Sequence, residues 1–282
     1  HSFKNLKKEC HNKKTTMYIL IDIGGTNTRV ARTDDKESFG EPIIFDTPQH
    51  FDDWFALVIK HIDTLRNGEQ VRAIVAGMAG TFTSDGTIHK APHLEAWKNI
   101  NLKQKLGGWF NCEMVLENDA ALVGLGEAVF GSGKGYDIAV YITVSTGVGG
   151  IRIVDGKIDR SKFGFEMGHQ IINADGKELE YYPAGSSHEK RFNMPSKEIK
   201  DKDFWKEVNY YGGIMVANTT MYWSPAVIIL GGPVVNDMNL EEIFEHAKKF
   251  TPMYETLPVL VKSSLKSLGG LYGGMAYLKN LN

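Results

Sequence analysis

MYILIDIGGTNTR, residues 17–29, joins an apolar, β-rich run to a glycine bend and then to polar residues. Isoleucines and an aromatic between Met17 and Ile23 predict a buried strand. Gly24-Gly25 ends it, and glycine lets backbone N–H groups approach an anion with no Cβ in the way. Thr26 and Asn27 add side-chain donors, and successive N–H groups form a concavity that holds anions. Two later strand ends repeat the pattern, TVSTGVGG (143–150) and ILGGPV (229–234). A single glycine bend after a strand is ordinarily only a turn. Three of them, after three apolar strands, fit nucleotide phosphates and adenosine better. None matches G-x-x-x-x-G-K-[ST], and none is G-x-G-x-x-G opening a helix, so a P-loop or Rossmann site is disfavoured.

Outward from these bends, the same rhythm runs through both halves of the chain. TRVARTD and PIIFDT follow the first strand as a meander. Phe51, Trp54, Phe55, Val58, Ile59, Ile62 and Leu65 recur at helical spacing and predict one apolar face, with core packing as their ordinary role. RAIVAGMAG (72–80) predicts a short buried strand, 101–110 a helix, and EMVLEN (113–118) another strand. Asp119 opens the small-residue helix AALVGLGEAVFG. DIAVYITVSTGVGG (137–150) is expected to be one long strand entering a glycine turn, and GGIRIVDGKI to turn at Asp155-Gly156. Residues 198–223 predict helix, AVIILGGPVV (226–235) a buried strand and LEEIFEHAKKF (240–250) an amphipathic helix. PVLVKSS follows as a strand and LGGLYGGMAYLKN as a glycine-rich terminal helix. The repetition predicts an α/β protein of two related lobes with a cleft between them, a common place for ligands.

Composition narrows the classes. The chain has 282 residues, with 42% hydrophobic and 23% charged residues and a formal net charge of -2. These values suit a folded core, and the absence of a basic field argues against nucleic acid as a partner. No apolar run is long enough to span a bilayer, so no membrane partner is expected. The two cysteines, Cys10 and Cys112, lie far apart, which fits a reducing, cytoplasmic setting rather than a disulfide framework. Residues 1–16 are polar and basic, and are read as a tail outside the fold.

Four acidic positions and one histidine stand out. Asp22 precedes Gly24, and a carboxylate beside a phosphate loop repels anions unless a cation intervenes. It reads as a Mg²⁺ partner through water, or as a turn cap. Asp119, in Glu117-Asn118-Asp119-Ala120, sits at a strand-to-helix junction, where Asp and Asn are ordinary N-caps. Phosphoryl transfer, however, needs an acceptor hydroxyl held in line and relieved of its proton, which an aspartate can do. Asn118 can hold a neighbouring hydroxyl through its amide. Glu166 and His169, three apart in FGFEMGHQ (163–170), would share one face of a helical turn and suit a polyol. Each has a structural reading as well, and Glu189 in GSSHEK reads more simply as surface.

In motif order over 17–282 the sequence resembles the ROK family of sugar kinases and sugar-responsive repressors. DIGGTNTR and VSTGVGG resemble its two phosphate motifs, LGGPV its adenosine motif, ENDA its catalytic segment and EMGH its E-x-G-H. The resemblance implies a two-lobed actin/hexokinase-like (ribonuclease H-like) duplicated fold. Its small lobe would be 17–118 plus about 266–282, and its large lobe 119–265. It implies ATP with Mg²⁺ as cofactors, a glucokinase-like hexose or N-acetylhexosamine substrate, and a homodimer. Asp119 becomes the general base, and Asn118, Asp119, Glu166, His169 and Glu189 the sugar contacts. Asp22, Gly24, Gly25, Thr26, Asn27, Arg29, Thr146, Gly147, Gly231 and Gly232 become the nucleotide contacts. APHL (91–94), followed by Trp97, resembles a segment that borders the sugar.

The resemblance breaks after E-x-G-H. The family has C-x-C-G-x-x-G-C-x-E there, and those cysteines with the histidine hold a structural Zn²⁺. This chain has GKELEYYPAGSSHEKRF. A closed zinc site wants four N or S ligands, and His169 with His188 cannot supply them, so no structural zinc is expected. Tyr181, Tyr182 and Pro183 are expected to hold the loop by packing. A repressor of the family would need a DNA-binding helix-turn-helix before the first strand, for which residues 1–16 are too short. A non-catalytic sugar-binding or regulatory protein is the alternative to a kinase.

Overall fold

The computed structural model describes residues 17–162 and 164–281. The expected tail, with Cys10, lies outside the described residues. Strands β1 (Met17–Ile23), β2 (Asn27–Thr33) and β3 (Ile43–Asp46) form the predicted meander. Helix α1 (Phe51–Arg66) follows, then β4 (Val71–Met78), a small hairpin of β5 (Thr81–Phe82) and β6 (Ile88–Lys90), and β7 (Glu113–Asn118). The helix expected over 101–110 is present from 102 to 110, as a π-helical stretch at Lys103–Gly107 running into the short α2 (Gly108–Phe110).

Helix α3 (Asp119–Val129) opens the second half. The long strand expected over 137–150 is broken into β8 (Ile138–Val144) and β9 (Val148–Val154), which pair antiparallel around Ser145–Gly147. The glycine turn therefore folds the chain back on itself rather than ending one strand. Then come β10 (Lys157–Ile158), α4 (Gly185–Phe192), α5 (Lys202–Trp223), β11 (Val227–Gly231), α6 (Leu240–Phe250), β12 (Val259–Lys262) and α7 (Gly269–Asn280). Asp155 and Gly156 carry positive φ at the β9–β10 turn, as a two-residue hairpin requires.

The two five-stranded sheets have one topology written twice. The first runs β3-β2-β1-β4-β7 and the second β10-β9-β8-β11-β12. In each, three antiparallel strands lead into three parallel ones, because β1, β4 and β7 pair parallel, as do β8, β11 and β12. β11 is buried throughout, which explains its unbroken apolar run. On α1, Trp54, Val58 and Ile62 are fully buried at four-residue spacing. The ring of Trp54 packs 4.7 Å from that of Trp97, and each such side chain contributes on the order of 1.5–3 kcal/mol by leaving water.

Helices α3 and α7 meet backbone to backbone. A Cβ on Gly126 would stand 2.6 Å from the Gly269 carbonyl oxygen, and one on Gly273 would strike the Leu122 carbonyl. Glycine is what permits that approach. α3 also packs on β8 and β9, and α7 on β1 and β4. The helix that begins at Asp119 is thus in contact with both halves of the fold.

Candidate active site

The parallel strands of the first sheet finish level with one another. Asp22 on β1 is in register with Gly77 on β4, and Gly77 with Glu117 on β7. Ligands in open α/β sheets gather at such carboxyl ends. β7 passes directly into α3, whose N-cap is Asn118: its side-chain oxygen accepts the Ala121 N–H at 3.2 Å. Asp119 is therefore the first helical residue rather than the cap, and its Oδ1 accepts the Ala120 N–H at 2.8 Å. Its Cα lies 3.6 Å from where a Cβ on Gly77 would be. Burial raises the Asp119 carboxyl above the ordinary aspartate range, and the Ala120 N–H and the His93 imidazole draw it back.

Asp22 lies close enough to Asp119 for the two charges to oppose each other. Burial pushes its carboxyl up to about 6, the Arg29 guanidinium opposes that, and the Asp119 charge adds to it. Arg29 stands opposite Asp22 across β1 and β2, and its Nη1 donates to Asp22 Oδ2 at 3.3 Å. Arg29 Nε is buried with no hydrogen-bond partner. Gly24 closes the bend by donating its N–H to the Asn27 carbonyl, and Gly25 packs on His93, whose Cβ would lie 2.6 Å from a Cβ at that position. Thr26 is exposed and Asn27 half-buried. Asp22, Gly24, Gly25, Asn118 and Asp119 are brought together, and His93 joins them. Only the APHL context pointed to His93; nothing in its own spacing does.

The second sheet presents the other glycine bends at its own carboxyl ends. Thr143 on β8 is in register with Gly231 on β11. Gly232 takes φ 93°, and a Cβ there would strike the Val144 carbonyl, so glycine is required. The hairpin Ser145-Thr146-Gly147 projects beyond Val144, with Thr146 exposed. Tyr141, on β8 below it, is buried and its phenol is pushed up to about 12. Its hydroxyl bonds to Thr143, and the Asp119 charge reaches it. Tyr141 places Asp119 within electrostatic range of the strand that carries this hairpin, and its apolar surroundings in sequence hid it.

Glu166, exposed, precedes a 3-10 turn over Met167–His169, and its carbonyl accepts the His169 N–H. His169 is also exposed, and its Nδ1 contacts Glu178 Oε2 at 2.9 Å, which raises its pKa. Donor atoms of His169, Glu178 and Glu180 lie within 4.8 Å of one another, and are the described residues that could hold a metal together. Glu189 is exposed on α4, while its neighbour His188 turns inward and is fully buried. Of the three residues expected to hold the loop, Tyr182 and Pro183 are buried and Tyr181 is half-buried, and Tyr182 stacks on Tyr211.

The Asp22 shift has a measurable consequence. The folded state holds this proton up to about pH 6, whereas an ordinary aspartate releases it near 3.8. Between those values the folded state binds more protons than the unfolded one, so stability falls as pH rises, and above them the full cost remains. That cost is about 1–3 kcal/mol. Asp22→Asn keeps an oxygen for Arg29 and removes the charge. It should raise the melting temperature at pH 7.5 and leave it nearly unchanged at pH 4; a variant that melts lower at pH 7.5 refutes the burial argument.

The model described as "ROK family" matches residues 18–280. The glucokinase of Streptomyces coelicolor is 31% identical over 161 residues, 56% of this chain and 50% of that protein, so the chain spans about half the length of that curated relative. The fructokinase of Lactococcus lactis subsp. cremoris is 28% identical over 290 residues, 90% of this chain and 96% of that protein. The ROK hexokinase of Thermus thermophilus superposes with a TM-score of 0.84 at 23% identity, covering 94% of this chain and 99% of the other. The ROK glucokinase of Streptomyces griseus, in complex with glucose and AMPPNP, gives 0.72 at 23% identity over 94% and 100%. The shared architecture is the actin/hexokinase-like fold, and by the extent of the family match the chain belongs to the ROK family.

Proposed function

We propose that the protein is an ATP-dependent sugar kinase, glucokinase-like, that moves the γ-phosphate of ATP to a hydroxyl of a hexose or N-acetylhexosamine. The observation that carries this reading is the paired placement of Asp22 and Asp119. Both lie at the carboxyl ends of parallel strands, Asp22 before the glycine bend and Asp119 at the head of α3, the helix that touches the half bearing the Ser145–Gly147 hairpin. Relatives named glucokinase and fructokinase support the reaction class and leave the sugar open.

In this reading the hairpins at 24–29 and 145–147 cradle the phosphates through backbone N–H groups, and Gly231-Gly232 flanks the adenosine. Mg²⁺ arrives with ATP, and the crowded Asp22 carboxylate favours a cation nearby. The sugar lies against Asn118, Glu166 and His169, with Glu189 at the rim. Asp119 Oδ1 is held by Ala120, so Oδ2 faces the hydroxyl and takes its proton. Positioning and charge neutralisation supply most of the acceleration. Residues 17–118 with about 266–282 form the smaller lobe and 119–265 the larger, and their closure excludes water.

No helix among the described residues is long and apolar enough to cross a membrane, and we place the protein in the cytoplasm as a homodimer without structural zinc. A coupled ADP-release assay over a panel of hexoses and N-acetylhexosamines, with and without Mg²⁺, tests the reaction. At least one sugar should stimulate ADP release in a Mg²⁺-dependent way. Sugar binding with no ADP release overturns the kinase reading in favour of a non-catalytic binder.

A further inference from the structure

The loop between the E-x-G-H turn and α5 has no cysteine, so the closed zinc site of the family does not fit it. Among the described residues His169, Glu178 and Glu180 lie close enough to share a metal, but Glu180 is already engaged by the Val148 N–H. Cys112, a free cysteine, lies beside β7 in the other half of the fold. His188 has both ring nitrogens engaged, Nε2 with the Tyr182 carbonyl at 2.6 Å and Nδ1 with Ser196 Oγ at 2.7 Å. His169 Nδ1 is held by Glu178.

What stands in the metal's place is a set of hydrogen bonds centred on Glu180. Its Oε2 accepts the N–H of Val148, the residue that follows the Ser145–Gly147 hairpin, at 3.3 Å. Its carboxylate occupies a niche that two glycines leave open. A Cβ on Gly147, in the hairpin, would stand 3.1 Å from Oε2, and so would one on Gly168, in the E-x-G-H turn. The main chain just beyond Glu180 doubles the attachment. Gly185 donates its N–H to the Ser145 carbonyl at 2.7 Å, and Ser186 to that of Thr146 at 3.1 Å. The Ala184 N–H returns to the Glu180 carbonyl at 3.0 Å. The 145–148 hairpin and the turn at Gly168 thus meet on one carboxylate, and the chain just beyond it bonds back to the hairpin.

We propose that Glu180 is a positioning residue whose carboxylate, seated between Gly147 and Gly168, sets the 145–148 hairpin for the nucleotide phosphates in place of a bound metal. The same contact ties that hairpin to the turn carrying Glu166 and His169. Glu180 touches neither sugar nor phosphate; it acts through the backbone of Val148. This rests on the kinase reading, and the experiment separates the two.

The test measures KM for ATP, kcat, and AMP-PNP and sugar binding by calorimetry in the wild type, Glu180→Ala and Glu180→Gln. Losing a hydrogen bond to a charged group should raise KM for ATP and the AMP-PNP dissociation constant about tenfold in the alanine variant. Sugar binding without nucleotide should stay within about twofold. Glutamine keeps an acceptor oxygen for Val148 and should restore nucleotide affinity to within about threefold. A purely structural role would instead lower kcat, sugar binding and melting temperature together and show no selective effect on the nucleotide. An active wild type with unchanged KM for ATP in Glu180→Ala refutes the clamp alone. A wild type that binds no AMP-PNP refutes the kinase reading. Stoichiometric metal that resists dialysis, with nucleotide binding lost on its removal, overturns the metal-free clamp.

Discussion

Asp119→Asn should lower phosphoryl transfer by about 10²–10⁴-fold, the usual contribution of a positioned general base, while sugar binding stays within about threefold. The substitution is nearly isosteric. An amide oxygen can still accept the Ala120 N–H that Oδ1 accepts now at 2.8 Å, so the start of α3 keeps its geometry. What disappears is the carboxylate oxygen that the proposed mechanism uses to take the proton. Asparagine also relieves the repulsion between Asp119 and Asp22, so a loss of folding is not expected to explain a loss of rate. The pH profile gives a second reading. Burial raises the Asp119 pKa, so in the wild type the acid limb of kcat/KM should fall at a pH above the ordinary aspartate range. It should fall because protonation removes the base, and in Asp119→Asn the acid limb that remains should be the one set by Asp22 alone. Turnover within tenfold of wild type, measured by ADP release with saturating sugar and ATP, sinks the assignment.

Much of the fold was legible because the decisive elements announce themselves locally. β11 is buried on both faces and reads as an unbroken apolar run, and β1 and β4 are broken only by Asp22 and the exposed Arg72. α1 shows its face through Trp54, Val58 and Ile62. The duplicated strand order follows from the repeat of meander, helix, strand, helix, strand. The failure at 137–150 is equally physical. Val144 and Val148 pair across a three-residue turn, so strand-forming residues flank the bend on both sides and nothing in their periodicity marks the reversal. At 101–110 the expected helix is present but widened by a π-turn at Lys103–Gly107, which no apolar spacing encodes.

The site was legible only in part. Asp22 and Asp119 could be picked out from glycine bends and a strand-to-helix junction. His93, Tyr141 and Glu180 depend on their relation to Asp119, on a segment distant in sequence, or on a niche between two glycines, and single-sequence pattern carries no such information. Nothing in the sequence of the altered loop singles out Glu178 or Glu180. The arrangement that gives Glu180 its meaning is made by Gly147 and Gly168, neither of which points to a carboxylate from its own sequence context.

The same blindness covered Glu127, whose replacement should have the largest effect on stability. It lies on α3 amid small and apolar residues and is fully buried, a position where a lone carboxylate would be costly. Four donors surround it instead. Oε1 accepts the N–H groups of Ser264 and Leu265, both at 2.8 Å, and Oε2 accepts the Ser132 N–H at 3.0 Å and the Ser264 hydroxyl at 3.2 Å. The carboxylate therefore fastens the end of α3 to the connection that runs from β12 back to α7, the helix that returns the chain to the first sheet. Glu127→Ala removes the acceptor of three backbone N–H groups at half-buried or exposed positions, each costing about 1–1.5 kcal/mol, near the low end for an unmet donor, for a total loss of about 3–5 kcal/mol. At the usual conversion for a chain of this size that lowers the melting temperature by about 6–20 °C. Glu127→Gln keeps the shape but turns an NH₂ toward one pair of donors, so it should fall between alanine and wild type. Because the hydroxyl of Ser264 can rotate to accept, the glutamine amide leaves the Ser132 N–H as its main unmet donor, and Ser264→Ala in that background should lower stability further. A Glu127→Ala protein that melts within 2 °C of wild type would show that the connection is held by the α3–α7 glycine contact alone.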